Sequence, residues 1–491
     1  MTRHEAIASI LENAIRDGAI AVGSRLPTVR ALSAGLGVSA STVVAAYNRL
    51  RADGRISGEV GRGTFVLPPA NRVAPPASAE GDTTTWKSPF YASRPPWRRR
   101  TVLTSATRLH SLYPQAIDCS RGKPDTGLLL TKIVQRAFHK AADAIVSEDL
   151  QYGTPRPLQA LRSALVPRLM RDRLPVEGTE MIVGTSAQQL MVMSLSMAAR
   201  LMPDRPRVVA VEEPGYQTVF DAFEYIGFRL VGMTVDEHGA TPASLDAALR
   251  AGAIAALFTP CALNPMGVSW TERRRLELAE VLAAHPHAIS IEDDQFADLA
   301  LTRPGSLLEG STVGNRAIYI RTFAKSIAPD IRVAVALARP RLASLLAESK
   351  SLSDGWTSLI AQHALAYALE DAELERGLDE ARRIYEQRRQ TVKRIIEDRM
   401  RGTGTFVTGT DGLNVWIQLP PGAAATDVVD RAGALGVLLV SGEPFYIRPG
   451  RNDVIRMSIS ALNEGDAEVA AERVVESIRS AADIHPLSIP L

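Results

Sequence analysis

The chain has 491 residues with 56 basic and 54 acidic side chains, so its net charge of +2 neither indicates nor excludes nucleic acid. Its 46% hydrophobic and 22% charged residues are typical of a soluble globular protein. No apolar run approaches the roughly 18 residues that a membrane span requires, and at roughly 100–200 residues per domain the length predicts two to four domains.

The sequence also argues against a secreted protein, a disulfide framework and a metal site. Residues 1–18 carry acids among their apolar positions, which favours an amphipathic helix over a signal peptide, and we expect a cytoplasmic protein. Cys119 and Cys261 are too few for a disulfide framework or a zinc site and are expected to be buried, reduced thiols. The eight histidines show no metal-ligand spacing, so we predict no metal.

The N-terminal region is predicted to form a helix-turn-helix followed by a β wing. Helices are expected at about 4–17, 28–34 and 40–53, with a tight glycine-bearing turn at 35–37. The glycine-rich run 55–66 indicates two strands around a tip. A helix-turn-helix with a wing is a shape that reads DNA.

This region closely resembles the winged helix-turn-helix of the GntR family of bacterial regulators, over the string LPTVRALSAGLGVSASTVVAAYNRLRADGRISGEVGRGTFV. Eight arginines against five acids in residues 1–66 permit DNA binding. The resemblance implies that DNA is contacted by Arg30, Ser39, Ser41, Thr42, Gly61 and Arg62. Ser39 is also placed to cap the third helix. Where many GntR proteins have arginine this chain has Ala40 and Val44, so no operator sequence is transferred.

A linker is predicted at 68–105, where proline, small and polar residues occur without apolar periodicity. Its cluster Arg98-Arg99-Arg100 is a candidate contact for a phosphate backbone, with a solubilising role as the alternative. The predicted domains are therefore 1–67, 68–105 and 106–491.

The remainder of the chain alternates apolar runs with helical stretches, which predicts an α/β domain with a parallel-rich sheet covered by helices on both faces. The predicted strands lie at 181–185, 207–214, 253–260, 288–294, 317–324 and 332–338. A smaller C-terminal α/β lobe is predicted from strands at 414–420, 435–441 and 454–460. Ligands of such sheets bind at the carboxyl ends of the strands.

A lysine after one of these strands is a candidate to bind an aldehyde cofactor such as pyridoxal phosphate (PLP). Lys325 supplies an amine for a Schiff base. Asp293 ends another strand and suits a pyridinium nitrogen, with a solvated acid pair with Asp294 as the alternative. The turn 184–190 opens a helix, whose N-terminus suits a phosphate. Further candidates are Ser186, Ala187, Gln188, Thr322 and Arg332 at the phosphate, Tyr216 on the ring and Asn264 at the phenolic oxygen.

These residues, in this order, resemble those of the class I aminotransferases, PLP enzymes of fold type I, over about residues 115–480. The matched motif residues are Asn264, Pro265, Gly267, Asp293, Thr322, Lys325 and Arg332. The resemblance further implies that Arg456 holds the carboxylate of a substrate or effector and that Tyr152 reaches the phosphate of a neighbouring subunit. Taken alone, Tyr216 indicates a packing tyrosine and Arg456 a surface cation.

Three positions depart from the aminotransferase pattern. Phe296 replaces a tyrosine whose hydroxyl would bond the phenolic oxygen of the cofactor. Ser186 stands where the phosphate turn often has glycine, and Ala324 where the lysine motif has serine. We expect these losses to impair turnover more than binding.

A winged helix joined by a proline-rich linker to an aminotransferase-like domain resembles the MocR subfamily of GntR regulators, over nearly the whole chain. The resemblance implies a head-to-tail homodimer, a double-stranded DNA operator, and control by PLP or its adduct with an amino compound. Our interpretation is a PLP-responsive transcription factor without a physiological transamination cycle. The alternatives are an active aminotransferase with a secondary autoregulatory role, and a DNA-binding protein whose large domain only dimerises.

Overall fold

The computed structural model describes residues 3–16, 20, 24, 26–52, 56–59, 63–66, 110, 113–448 and 450–482. The chain divides into two compact units, Met1–Ser88 and Pro89–Leu491. The linker predicted at 68–105 lies outside the described residues.

In the N-terminal unit, three helices and a β hairpin surround a small core. Its elements are α1 (Arg3–Arg16), α2 (Val29–Leu36), α3 (Ala40–Ala52), β1 (Ile56–Glu59) and β2 (Gly63–Val66). The two strands pair antiparallel, with Ile56 opposite Val66. Between α2 and α3 the chain bends by 118° at Gly37, whose φ of 62° lies in the left-handed region that a glycine adopts without a Cβ clash. The predicted winged helix-turn-helix is confirmed.

The core of this unit is formed mainly by the inner face of α3. Val43 and Leu50 are buried against Ile7 of α1 and Ile56 of β1. The hydroxyl of Tyr47 donates to the carbonyl of residue 27 at 2.7 Å, so this buried polar atom is satisfied. Among the described residues no single helix is both long and apolar enough to cross a bilayer, and α2 with α3 meets those criteria only as a sharply bent pair.

The second unit contains an eight-stranded sheet and a smaller four-stranded sheet. Its helices are α4 (Thr131–Ala144), α5 (Gln159–Arg171), α6 (Ala187–Leu201), α7 (Gln217–Tyr225), α8 (Pro242–Arg250), α9 (Glu272–Ala284), α10 (Ser311–Gly314), α11 (Pro340–Ser353), α12 (Leu359–Leu369), α13 (Leu374–Arg399), α14 (Ala425–Ala434) and α15 (Glu464–Ala482). Its strands are β3 (Ile117–Asp118), β4 (Glu180–Gly184), β5 (Val208–Glu213), β6 (Arg229–Asp236), β7 (Gly239–Ala240), β8 (Ala255–Phe258), β9 (Ile289–Asp294), β10 (Ala317–Thr322), β11 (Ala334–Ala338), β12 (Phe406–Thr408), β13 (Asn414–Gln418), β14 (Val437–Leu438), β15 (Val440–Ser441) and β16 (Val454–Ser458).

The large sheet has the strand order β4-β11-β10-β9-β8-β5-β6-β7. Strands β10, β9, β8, β5 and β6 are parallel, which confirms the predicted parallel-rich sheet, although β6 itself was not predicted. β11 departs from a fully parallel sheet because it runs antiparallel to both β10 and β4. The connection 323–333 between β10 and β11 contains only the 3₁₀ turn Pro329–Ile331, and a parallel crossover needs about a dozen residues or more, usually with a helix.

Both faces of the large sheet are buried, as the continuous apolar runs predict. Along β10, Ala317 and Tyr319 join the core on one face, while Ile318 and Ile320 join the core on the other. Cys119 and Cys261 are buried free cysteines, as expected.

The smaller sheet, β12-β13-β16-β15, is antiparallel throughout. The 26-residue helix α13 packs against α15, β12 and β13 of this lobe. Its other end bonds to the large lobe, because Arg382 donates to the carbonyl of Asp298 at 2.9 Å. α13 thus joins the two lobes of the unit.

Candidate functional site

The pairing of β11 brings three distant segments to one edge of the large sheet. Ala334, the first residue of β11, lies opposite Thr322 at the end of β10 and opposite Gly184 at the end of β4. Arg332 and Ser186 lie two residues beyond this point on their own segments. The edge is the carboxyl end of the parallel strands, where ligands of such sheets bind.

A cavity opens at this edge. Its wall consists of Thr185, Ser186, Ala187, Gln188, Met191, Tyr216, Asp293, Gln295, Thr322, Ala324, Pro329, Ile331, Arg332 and Val333. The structure therefore brings together seven of the residues singled out in the sequence, namely Ser186, Ala187, Gln188, Tyr216, Asp293, Thr322 and Arg332.

Asp293 supplies a buried carboxyl group to this cavity. It is 6% exposed, and its Oδ1 has no hydrogen-bond partner among the described residues. Burial, with the neighbouring Asp294, raises its pKa to about 7, and Lys325 partly opposes the rise. The alternative of a solvated acid pair is wrong, since Asp294 is also buried and accepts a hydrogen bond from Tyr319 at 2.7 Å.

Lys325 lies beside the cavity, next to Ala324 of its wall. Its Nζ donates to the carbonyl of Gly122 at 2.8 Å. Burial, reinforced by Arg456, lowers the pKa of Lys325 to about 8, while Asp293 opposes this shift. A lowered pKa increases the neutral fraction of the amine, which is the nucleophilic form.

The turn before α6 is held in place by a chain of hydrogen bonds. Ser186 precedes the helix, and its Oγ accepts from the backbone N–H of Gln189 at 3.1 Å. The side-chain oxygen of Gln189 accepts from the N–H of Thr185 at 2.8 Å, and its amide nitrogen donates to Asp354 at 2.8 Å. Asp354 also accepts from the fully buried Lys350 at 2.6 Å. The first residues of α6 line the cavity, so the helix N-terminus is placed as an anion site requires.

Arg456 is buried and lies near enough to Lys325 to influence the pKa of its amine. Its Nη1 donates to Asn264 at 3.4 Å, its Nη2 donates to the carbonyl of Ser120, and its guanidinium lies 4.9 Å from the ring centre of Phe445. Its Nε has no hydrogen-bond partner in the described part of the chain. Burial lowers its pKa to about 10, with Tyr216 opposing. The alternative of a surface cation is wrong.

Tyr152 is not brought into this site. Its side chain is 86% exposed and contacts the edge of Trp356, with 5.2 Å between the ring centres. Tyr216, in contrast, is 38% exposed and forms part of the cavity wall.

The three departures from the aminotransferase pattern have different surroundings. Phe296 is 3% exposed and belongs to the main hydrophobic core. Ser186 caps α6, and its φ of −166° is extended backbone that needs no glycine. Ala324 contributes to the cavity wall.

Several residues of the site were missed by the sequence reasoning, among them Gly122 and Asn414. Gly122 accepts from Lys325, and Asn414 donates to Asn264 at 3.4 Å. A signal for the first was present, because DCSRGKPD at 118–125 is a polar, glycine-bearing run directly after β3. Asn414 begins a strand and carries no such signal.

The N-terminal unit presents a second candidate site at the start of α3. The Oγ of Ser39 lies 2.9 Å from that of Ser41 and 2.7 Å from Oγ1 of Thr42, and it accepts from the N–H of Thr42 at 3.2 Å. Ser39, Ser41 and Arg30 of α2 are exposed, and Thr42 is partly exposed. Hydroxyls at a helix N-terminus suit a phosphate oxygen. Gly61 and Arg62, the predicted wing contacts, lie outside the described residues.

The donor set of the large cavity suits a phosphorylated pyridine aldehyde. The unpartnered Oδ1 of Asp293 can accept from a ring nitrogen, and the buried amine of Lys325 can attack a carbonyl. Arg332 and the N-terminus of α6 offer positive potential to a phosphate in the same cavity.

Comparison with known families divides the chain in the same way as the structure. Residues 117–474 match the family model described as aminotransferase class I and II, and residues 3–66 match the gntR family of bacterial regulatory proteins. The first match covers most of the chain.

Relatives that match most of the chain are named as transcriptional regulators. The chain is 28% identical over 477 residues to the vitamin B6 salvage pathway transcriptional repressor PtsJ of Salmonella typhimurium, covering 97% of this chain and 98% of that protein. It is also 28% identical over 382 residues to the pyridoxine biosynthesis transcriptional regulator PdxR of Corynebacterium glutamicum. This match covers 78% of this chain and 76% of that protein.

A solved structure with the same fold is the kynurenine aminotransferase of Pyrococcus horikoshii. The TM-score is 0.70 at 23% identity, over 82% of this chain and 99% of that one. The chain belongs to the class I and II aminotransferase family, carries a gntR-family region at its N-terminus, and is similar over most of its length to proteins named as transcriptional regulators.

Proposed function

We propose that the protein is a DNA-binding transcription factor that senses PLP, or an adduct of PLP with an amino compound, in the cavity of its aminotransferase-like unit. The observation that carries this proposal is the buried pair Lys325 and Asp293 at one strand edge, with Arg332 and the N-terminus of α6 at the same edge. When bound, PLP supplies a carbonyl carbon for an amine and a ring that withdraws electrons.

Each candidate residue in or beside the cavity would have one part in binding. Lys325 would supply the amine for the covalent link, Asp293 would hold a proton at the ring nitrogen, and Tyr216 would pack on the ring. The N-terminus of α6 with Ser186, Ala187 and Gln188, together with Thr322 and Arg332, would hold the phosphate. Asn264 would donate to the phenolic oxygen. Arg456 is the carboxylate partner for an amino compound, since its Nε has no partner among the described residues.

The DNA-binding part of the proposal rests on the first unit. We assign residues 1–67 to the DNA-binding domain, 68–105 to the linker and 106–491 to the effector domain. Arg30 and the hydroxyls of Ser39, Ser41 and Thr42 are the proposed phosphate contacts, with Gly61 and Arg62 reaching the DNA from the wing.

We further propose a head-to-tail homodimer in which Tyr152 contacts the phosphate of the partner. Exposed apolar side chains lie on the elements next to Tyr152, which supports an interface at this face. They are Phe138, Val146, Leu150 and Ile360, on the packed helices α4 and α12 and the segment between α4 and α5.

The decisive experiment is trapping of the covalent link. We expect PLP-loaded protein to show a visible absorbance band that borohydride removes, and peptide mapping to place the reduced pyridoxyl group on Lys325. The Lys325→Ala variant should lose the band and the response of operator binding to PLP. Labelling spread over surface lysines, or an unchanged response in this variant, would falsify the assignment.

An active aminotransferase is the second candidate, because Lys325, Asp293 and Arg456 form a complete set for amino-acid binding. Phe296 argues against efficient turnover, since it cannot donate a hydrogen bond. Conversion of PLP-loaded protein to its amine form by an amino acid, followed by return with a keto acid over many cycles, would favour the enzyme.

A further inference from the structure

A largely buried cluster of charges contacts the lysine turn, and none of its residues lines the cavity. It comprises three guanidinium groups and three carboxylates, from Arg168, Arg303, Arg321, Asp172, Asp298 and Glu375. Arg321 is fully buried in β10 and bonds both Asp172 and Asp298. Buried ions persist only when each is paired, so the cluster is strongly constrained in geometry.

Asp298 is the centre of this cluster. One carboxylate oxygen accepts from Arg168 at 2.9 Å and from Arg321. Burial alone would raise the pKa of Asp298, but Arg321 and Arg168 outweigh it and hold the pKa at about 2. The group is therefore ionised at every physiological pH, which makes it a fixed acceptor.

The other oxygen of Asp298 accepts from the hydroxyl of Ser326 at 2.9 Å. Ser326 is 7% exposed and directly follows Lys325 in the chain. The turn that carries Lys325 is therefore bonded through the side chain of Ser326 to the carboxylate of Asp298, which Arg168 and Arg321 hold in place. The backbone of Asp298 is tied as well, since its carbonyl accepts from Arg382 of α13 at 2.9 Å.

We propose that Asp298 and Ser326 are positioning residues for Lys325. The inference rests on the proposed function, because it assigns a purpose to this cluster only if Lys325 is the residue that PLP engages. By fixing the turn, the hydrogen bond sets the direction in which the amine meets the carbonyl carbon of PLP. Because Arg382 of α13 bonds the carbonyl of Asp298, the same aspartate also couples the position of the turn to the helix that joins the two lobes.

The test compares two ligands that differ only in their need for the amine. PLP engages Lys325, whereas pyridoxamine phosphate uses the same ring and phosphate contacts without it. We expect Ser326→Ala to weaken PLP about tenfold, in keeping with the loss of one hydrogen bond to a charged group. The affinity for pyridoxamine phosphate should stay within about twofold, and Ser326→Thr, which keeps the hydroxyl, should restore PLP binding.

A matched control is found in Ser306. It is fully buried, and its hydroxyl donates to the buried Glu292 at 2.9 Å, away from the lysine turn. Ser306→Ala should lower thermal stability without changing the ratio of the two affinities. Equal weakening of both ligands by Ser326→Ala, or no change in either, overturns the inference. If Lys325→Ala also leaves the ratio unchanged, the proposed cofactor site itself fails.

Discussion

At the scale of single residues, the carboxyl group of Asp293 lowers the stability of the cofactor-free protein and is expected to strengthen cofactor binding. An unpartnered buried carboxylate is expensive, and the rise of its pKa to about 7 expresses that cost. A protonated ring nitrogen would give the carboxylate the partner it lacks. The same atom that weakens the cofactor-free protein therefore strengthens binding.

Replacing Asp293 by asparagine should stabilise the cofactor-free protein at pH 8. Because the folded pKa is raised, the stability contributed by the carboxyl group is complete below about pH 4 and is lost as the pH rises to about 7. We expect the gain in the free energy of unfolding to be about 1–3 kcal/mol larger at pH 8 than at pH 5. Urea denaturation at both pH values measures it, and PLP affinity should fall at least about tenfold.

A functional residue could be predicted from the sequence only where a local pattern marks its position. Lys325 and Asp293 follow apolar runs, so their place at a strand end is visible in the sequence. Arg456 lies within a strand and is indistinguishable from a surface cation except by resemblance. Asn414 and the carbonyl of Gly122 reach the site from segments far apart in sequence. The polar, glycine-bearing run 118–125 marks the segment of Gly122, whereas no local pattern marks Asn414.

At the scale of elements, the turn before α6 depends on Gln189 more than on its serine cap. The side chain of Gln189 bonds both the turn and Asp354, so it fixes the N–H groups at the proposed phosphate site. We expect Gln189→Ala to weaken PLP about tenfold while leaving pyridoxal, which lacks the phosphate, within about twofold. Equilibrium titration of both compounds checks this. The control is Gln159→Ala, at an exposed glutamine of α5 outside the cavity wall, which should change neither affinity.

At the start of α3, substitutions of Ser39 and Ser41 distinguish an effect on stability from an effect on DNA binding. Ser39→Ala removes the cap bonded to the N–H of Thr42 and should lower the stability of the N-terminal unit by about 1 kcal/mol. Ser41→Ala leaves that bond in place and should change stability by less than about 0.5 kcal/mol. Both should weaken binding to a generic DNA duplex at low salt, measured by fluorescence anisotropy; a normal affinity for both would contradict the proposed contacts.

The position of a strand was predictable where its apolar run is continuous, but the direction of a strand depends on the connection that precedes it. The central strands β5, β9 and β10 coincide with predicted apolar runs to within about two residues. β6 was missed, because RLVGMTVD mixes exposed and buried positions near the sheet edge. The direction of β11 followed from the short connection before it, a feature that the strand pattern does not contain.

At the scale of the whole molecule, the exposed apolar face around Tyr152 should control assembly. Leu150 is 65% exposed beside Tyr152, and a charge there would be trapped at an interface. We expect Leu150→Lys to shift the protein toward monomer by sedimentation velocity. The control Leu276→Lys, at a half-exposed leucine of α9, should leave the mass unchanged. A monomeric parent protein would contradict the homodimer.

The reversed direction of β11 places Lys325 and Arg332 on one connection, residues 323–333, between neighbouring strands. A ligand that bonds both residues would hold this short segment at both of its ends. Amide hydrogen exchange should accordingly slow across this segment as one cooperative block when PLP is added. Slower exchange at only one end of the segment would mean that the residue at the other end does not bind the ligand.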